Sequence, residues 1–192
     1  MSTPFSPEIE EMLPRTRDAY YKLILAVGPA RTGKTAALVD LAKRHNWPRL
    51  NVNLHLSKRL LDLTHRQRAT RVAAILDDLI REEKSEVVLL DNIELLFAEE
   101  LAQDPLRLLQ SLSRNRAIVA AWPGNFDGAS LTYAEPGHPE ARRYQTPQAV
   151  IVQSAEANQT EAASPVEGGF KSEVQLRYDA SVASSRRLRG VF

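Results

Sequence analysis

The 192-residue chain contains no cysteine. That excludes disulfides, thiolate nucleophiles and zinc–thiolate sites. None of its four histidines has a partner at metal-ligand spacing, so a zinc site built on imidazole is not expected either. No apolar run approaches the roughly 20 residues needed to span a bilayer. The opening segment MSTPFSPEIEEM has no basic stretch followed by an apolar core, so no secretory signal is expected. A soluble cytoplasmic protein with no membrane contact is the reading. Charge of one sign is also lacking: the formal net charge is +1, which points to no class of partner. Glycine is scarce as well. Before residue 124 only Gly28 and Gly33 occur, and both lie in one stretch of eight residues. A residue avoided elsewhere and paired here is used for its backbone freedom.

That stretch reads Gly28-Pro29-Ala30-Arg31-Thr32-Gly33-Lys34-Thr35. It matches the phosphate-binding pattern G-x-x-x-x-G-K-[ST] in full. In such a loop the glycines let the backbone curl so that successive N–H groups face phosphate oxygens. Lys34 then reaches the β- and γ-phosphates, and the Thr35 hydroxyl takes a position on Mg²⁺. The flanks agree. YKLILAV (21–27) is an apolar run that ends at Gly28, as a buried strand does. Ala36 opens AALVDLAKRH, in which Leu38, Leu41 and Ala42 fall at helical spacing. The loop therefore sits between a strand and a helix N-terminus, which attracts anions through its free N–H groups and partial positive charge. The predicted nucleotide contacts are residues 28 to 36.

The rest of the chain alternates. Ser6-Pro7 starts a short helix that ends by Pro14. Strands are predicted at 22–27, 49–53 (RLNVN), 86–90 (EVVLL), 117–121 (AIVAA) and 148–153 (QAVIVQ). Helices are predicted at 34–45, over at least 70–82, and after Asp104-Pro105. Ser57 is expected to cap the segment after the second strand. From Trp122 the texture turns loop-rich, with Pro123-Gly124, Asp127-Gly128 and Pro136-Gly137. Alternating strands and helices predict an α/β fold, a five-stranded parallel sheet flanked by helices. Residues 1–153 form one predicted domain. Residues 154–169 are rich in Ala, Glu and Ser without aromatics and read as a linker, followed by a tail to residue 192.

A second element of the site is VVLLDNIE (87–94). An apolar strand ending in Asp91, 56 residues after Thr35, puts a carboxylate at the strand's carboxyl end. Ligands of parallel sheets bind there. Asp91 and Thr35 are the predicted metal pair. Hydrolysis also needs a group to orient or deprotonate water. Glu94 can point back toward the site if the chain turns helical at once. Asn92 can position a water but cannot take its proton.

The loop GPARTGKT, the strand LLDNIELLF and the strand AIVAAWPG, in this order, resemble the AAA+ P-loop ATPases. Within that group, the short core, DNIELLF and LTYAEPGHPEARRY are similar to the BrxF-like P-loop ATPases of type 3 BREX phage-exclusion systems. The resemblance covers about residues 8–153. It implies an ATP- and Mg²⁺-dependent component of an anti-phage defence complex, working with a methyltransferase and a large ATPase. It also implies a homo-oligomer in which an arginine finger reaches a neighbour's nucleotide. Arg142 and Arg143 stand where that class places the finger, and Arg114 and Arg116 are second choices. The class carries a Glu directly after the strand Asp, where this chain has Asn92. No helical lid domain is expected after the core, and Asn125 is the candidate for the small polar sensor at the end of the fourth strand.

Lys58 to Arg71 carries five Lys or Arg against one Asp. It is a candidate DNA contact through phosphates, without an aromatic to stack a base. A solvated helix face explains the same composition. Three functions remain open from sequence: an ATPase, slow for want of Glu at position 92; a non-hydrolysing assembly switch; and a small-molecule kinase with ARRY as its short lid.

Overall fold

The computed structural model describes residues 5–134 and 137–153. The reading of 154–192 as linker and tail lies outside the described residues.

Each face of the central sheet is dictated by alternation along its strands. In β1 (Leu23–Gly28), Leu23, Leu25 and Val27 point to one side, and Ile24 and Ala26 to the other. All are fully buried, so the strand reads as an unbroken apolar run. The side of Ile24 is covered by α1 (Phe5–Met12) through Phe5 and Ile9, and by α2 (Lys34–His45) through Ala37, Leu38 and Leu41. The side of Leu25 is covered by α3 (Val52–Leu60), α4 (His65–Glu82) and α5 (Pro105–Leu112). On α4, Val72, Leu76, Leu79 and Ile80 are buried and Ile75 is half-buried against the same core, an apolar stripe at helical spacing.

Five strands run parallel in the order β2 (Arg49–Asn51), β3 (Val87–Asp91), β4 (Ala117–Phe126), β1, β7 (Val150–Gln153). This is the predicted α/β sheet flanked by helices. Two further, antiparallel strands extend it. β4 continues past Trp122 to Phe126 and pairs antiparallel with β5 (Ser130–Tyr133), which pairs with β6 (Arg142–Gln145). The loop expected from Trp122 is therefore largely a hairpin. Asp127 makes its turn, with Oδ1 accepting from the N–H groups of Ala129 and Ser130. Gly124 permits it: a Cβ there would lie 1.8 Å from the Thr132 carbonyl oxygen.

The second strand is shorter than predicted, because Asn51 caps α3 through a bond from the Leu54 N–H. Ser57 sits inside α3 and caps nothing. Thr64 caps α4, in a reciprocal capping box with Gln67. Asx and Thr side chains won over the serine because they lie at the turns, where the backbone donors are free.

Candidate functional site

The loop after β1 curls as its residues allow. Arg31 has φ 67° and Gly33 φ 91°, both left-handed. Gly33 precedes the first residue of α2, Lys34. Gly28 makes room for the curl, since a Cβ there would approach Thr32 Oγ1 to 2.7 Å. Thr32 Oγ1 in turn donates to the Pro29 carbonyl at 2.9 Å. The Lys34 side chain folds back along the loop. Its Nζ donates to the carbonyls of Gly28 and Pro29, each at 2.5 Å. Burial lowers the pKa of Lys34 from its ordinary value, and the carboxylates of Glu94 and Asp91 act the other way.

Asp91 closes β3 and is 1 % exposed. Its Oδ1 accepts from Thr35 Oγ1 at 3.0 Å and from the Asn92 N–H at 3.0 Å. Its Oδ2 accepts from Arg49 Nη1 at 2.8 Å. The two residues that sequence pairs as metal holders thus touch across 56 residues of chain. Asn92 then turns the chain, with φ 52°, a left-handed conformation that Asn tolerates. A one-turn 3₁₀ helix, Glu94–Phe97, follows at once. This is the early helical turn that brings Glu94 back to the site.

The parts surround a cavity of about 540 Å³ at the carboxyl ends of β1, β3 and β4. Arg31, Gly33, Lys34 and Thr35 line it from the loop, with Ala30 and Ala36 beside them. Asp91 lines it from the end of β3, Asn92 and Glu94 from the turn and 3₁₀ helix that follow, and Ala121 and Pro123 from β4. Gly28, Pro29 and Thr32 contribute through their bonds to Lys34. The size suits a nucleotide-sized ligand. The metal donors present are hard oxygens, the Thr35 hydroxyl and the Asp91 carboxylate. Among the described residues no group of three or more His, Asp or Glu side chains forms a metal cage. That set fits Mg²⁺, which uses one or two carboxylates and takes its other ligands from phosphates and water.

Two polar residues of the site escaped the sequence reading, and both come from RLNVN. Arg49 pairs with Asp91, and Asn53 serves Glu94. Asn53 Nδ2 donates to Glu94 Oε2 at 3.0 Å, its Oδ1 accepts from the Leu95 N–H at 2.8 Å, and its own N–H bonds the Asn92 carbonyl at 2.9 Å. Only the pairing of β2 with β3 makes these contacts possible, and no local pattern announces it.

The other candidates lie elsewhere. Arg142 and Arg143 are on β6, and neither lines the cavity of its own chain. Arg143 donates to Ser130 Oγ at 3.1 Å and lies 3.8 Å from Asp127. Arg142 bonds the Ala141 carbonyl. Arg114 stacks over the rings of Tyr20 and Tyr21. Arg116 Nη1 donates to the Ile80 and Glu83 carbonyls at the end of α4, at 2.5 and 2.6 Å. Asn125 is exposed on β4 opposite Thr132, away from the cavity wall. In the basic stretch, Arg59 pairs with Glu82 and Arg68 bonds the Leu60 and Leu63 carbonyls, while Lys58, Arg66 and Arg71 are exposed. Among the described residues, no helix is long and apolar enough to cross a membrane.

Set against known proteins, the chain matches no family model. No curated protein matches it either. Solved structures do. A DNA replication initiation factor is similar over 77 % of this chain and 44 % of its own, at 15 % identity and a TM-score of 0.42. AMPPCP-bound DnaA from Aquifex aeolicus is similar over 61 % of this chain and 36 % of its own, at 17 % identity and a TM-score of 0.37. C. elegans PCH-2 is similar over 78 % of this chain and 40 % of its own, at 18 % identity and a TM-score of 0.39. The chain spans less than half the length of each of these structures.

Proposed function

We propose that this chain is an AAA+-like ATPase of low turnover, binding ATP with Mg²⁺ in the cavity between the loop and Asp91. The observation that carries the reading is the 3.0 Å contact between Thr35 Oγ1 and Asp91 Oδ1, beside a lysine rooted in a curled glycine loop. A hydroxyl donating to a carboxylate keeps its lone pairs turned outward, where a phosphate-bound cation lies in this type of site. Lys34 and the N-terminal amides of α2 bind the phosphate oxygens and stabilise the charge that develops on them. Bound Mg²⁺ would neutralise the β- and γ-phosphates. Glu94 faces the same cavity and accepts the proton of the attacking water, while Asn92 orients that water. The sequence resemblance supports work in a BREX-type defence complex with a methyltransferase and a large ATPase, as a homo-oligomer with Arg142 or Arg143 acting on a neighbour's nucleotide.

A second reading, an assembly switch that holds ATP without cleaving it, is favoured by one observation. One oxygen of Glu94 is already engaged by Asn53, and position 92 carries no base. Equilibrium titration with a fluorescent ATP analogue and phosphate-release assays separate the two. Micromolar binding that Lys34→Ala abolishes, with measurable phosphate release, is expected. Binding unchanged in Lys34→Ala overturns the site, and tight binding without phosphate release at any protein concentration selects the switch. Co-purification with the methyltransferase and large ATPase tests the complex.

A further inference from the structure

Asp91 is the site's buried carboxylate, and its partners are unequal. Oδ1 faces inward to the Thr35 hydroxyl and the Asn92 N–H. Oδ2 is held by a full positive charge, the Arg49 guanidinium, at 2.8 Å. Arg49 is paired in the sheet with Leu89, two residues short of Asp91. Its side chain therefore runs about 6–7 Å along the strand direction to reach the carboxylate. The contact is directed rather than incidental, because a carboxylate this buried needs a partner on each oxygen.

The charges add to the point. The cavity wall holds two cations, Arg31 and Lys34, and two carboxylates, Asp91 and Glu94. Arg49 adds a third cation from outside the wall. A lone divalent cation entering this site meets a neutralised carboxylate and a positive surround. A polyphosphate carrying the metal brings its own negative charge and oxygen ligands.

We propose that Arg49, by holding Asp91 Oδ2, makes metal entry conditional on nucleotide: the divalent cation enters with the triphosphate and not before it. The inference rests on the ATP reading above, and it assigns Arg49 a positioning role that acts through Asp91. Without Arg49, Asp91 Oδ2 loses its partner and the carboxylate's charge is left uncompensated while Oδ1 keeps its bonds from Thr35 and Asn92, and a bare metal ion binds more tightly. A unit charge within about 4–6 Å of an ion in a partly buried site is worth roughly tenfold or more in affinity.

The test uses Mn²⁺ as the probe, followed by its electron paramagnetic resonance signal on the nucleotide-free full chain. Wild type is expected to bind Mn²⁺ no tighter than millimolar. Arg49→Gln is expected to bind it at least tenfold tighter, and Arg49→Lys, which keeps the charge, to stay within about threefold of wild type. Arg49→Met is the second variant should the glutamine form lose its cooperative melt. Equal or weaker Mn²⁺ affinity in the uncharged variants overturns the proposal. So does micromolar Mn²⁺ binding by wild type alone, which needs no variant to be folded. Titration of each protein with ATP and Mg²⁺ in parallel keeps the two readings apart. Absent nucleotide binding sinks the ATPase reading, whereas intact nucleotide binding with unchanged Mn²⁺ affinity sinks only the role of Arg49.

Discussion

The side-chain amide of Asn53 donates to the carboxylate of Glu94 at 3.0 Å across 41 residues of chain. The same amide group accepts from the Leu95 N–H, so one side chain holds both the candidate base and the first turn of the helix that carries it. Asn53→Ala frees the Glu94 carboxylate and leaves a half-buried N–H without its partner. Removing these two hydrogen bonds, one of them to a carboxylate, costs about 2–4 kcal/mol of stability. Loss of orientation at a general base is expected to lower turnover by roughly tenfold, a fraction of what general acid–base catalysis contributes. ATP affinity stays within about threefold, because Asn53 does not line the cavity. Separate measurements of Kd and phosphate release check this, and a parallel loss of both would remove Asn53 from the positioning role.

Arg116 gives a contrast. Its place before β4 makes it a second-choice finger, yet its guanidinium ends on the last carbonyls of α4. Cations there satisfy free acceptors and oppose the helix dipole. Arg116→Ala is expected to cost about 1–2 kcal/mol by denaturant unfolding, on the scale of a charged hydrogen bond. Phosphate release per folded molecule is expected to stay unchanged, at every protein concentration. A rate that falls while stability holds would return Arg116 to the finger candidates.

The hairpin rests on a close approach that allows no side chain. Gly124→Ala places a methyl 1.8 Å from the Thr132 carbonyl oxygen, which is backbone and cannot step aside. Such overpacking costs about 1–3 kcal/mol. The expected readout is faster amide exchange across β5 and β6, with the parallel strands unaffected. Unchanged protection of Leu131 and Tyr144 would show that β4 bends to absorb the methyl.

How much of the site is legible in the sequence depends on how local each signal is. The loop, its lysine and threonine, and the strand that ends at Asp91 are written in consecutive residues, so their geometry is readable from the chain alone. The return of Glu94 is readable only as a condition on an immediate helical turn, and the left-handed turn at Asn92 that precedes it has no mark in the sequence. Arg49 and Asn53 are not. Their importance arises from β2 lying beside β3, and RLNVN carries no mark of that neighbour. The hairpin is hidden for another reason. Pro123-Gly124 and Asp127-Gly128 read as loop punctuation, but Gly124 is there for a cross-strand approach and Asp127 for a two-strand turn.

Asp127 also gives the hairpin a pH dependence whose sign is fixed. Bonds from the Ser130 and Ala129 N–H groups lower its pKa from the ordinary carboxylate value, against the effect of burial, and Arg143 adds to the lowering. A carboxylate lowered in the folded state binds its proton more readily when unfolded. Its contribution is therefore fully present above the usual carboxylate range near 3.8 and is lost as pH falls through the lower folded value. The β4–β5 turn is expected to loosen in acid, as pH falls below the ordinary carboxylate value of 3.8, releasing Arg143 from Asp127. Asp127→Asn is expected to remove that acid transition and to leave the Arg143 side chain freer at neutral pH. Amide exchange of Ala129 and Ser130 against pH reads the effect directly. If Arg143 is the residue that reaches a neighbour's nucleotide, Asp127→Asn changes the rise of phosphate release with protein concentration, while Arg143→Ala removes it. A rise untouched by both variants would leave Arg143 as a strut of its own hairpin and pass the role in trans to Arg142.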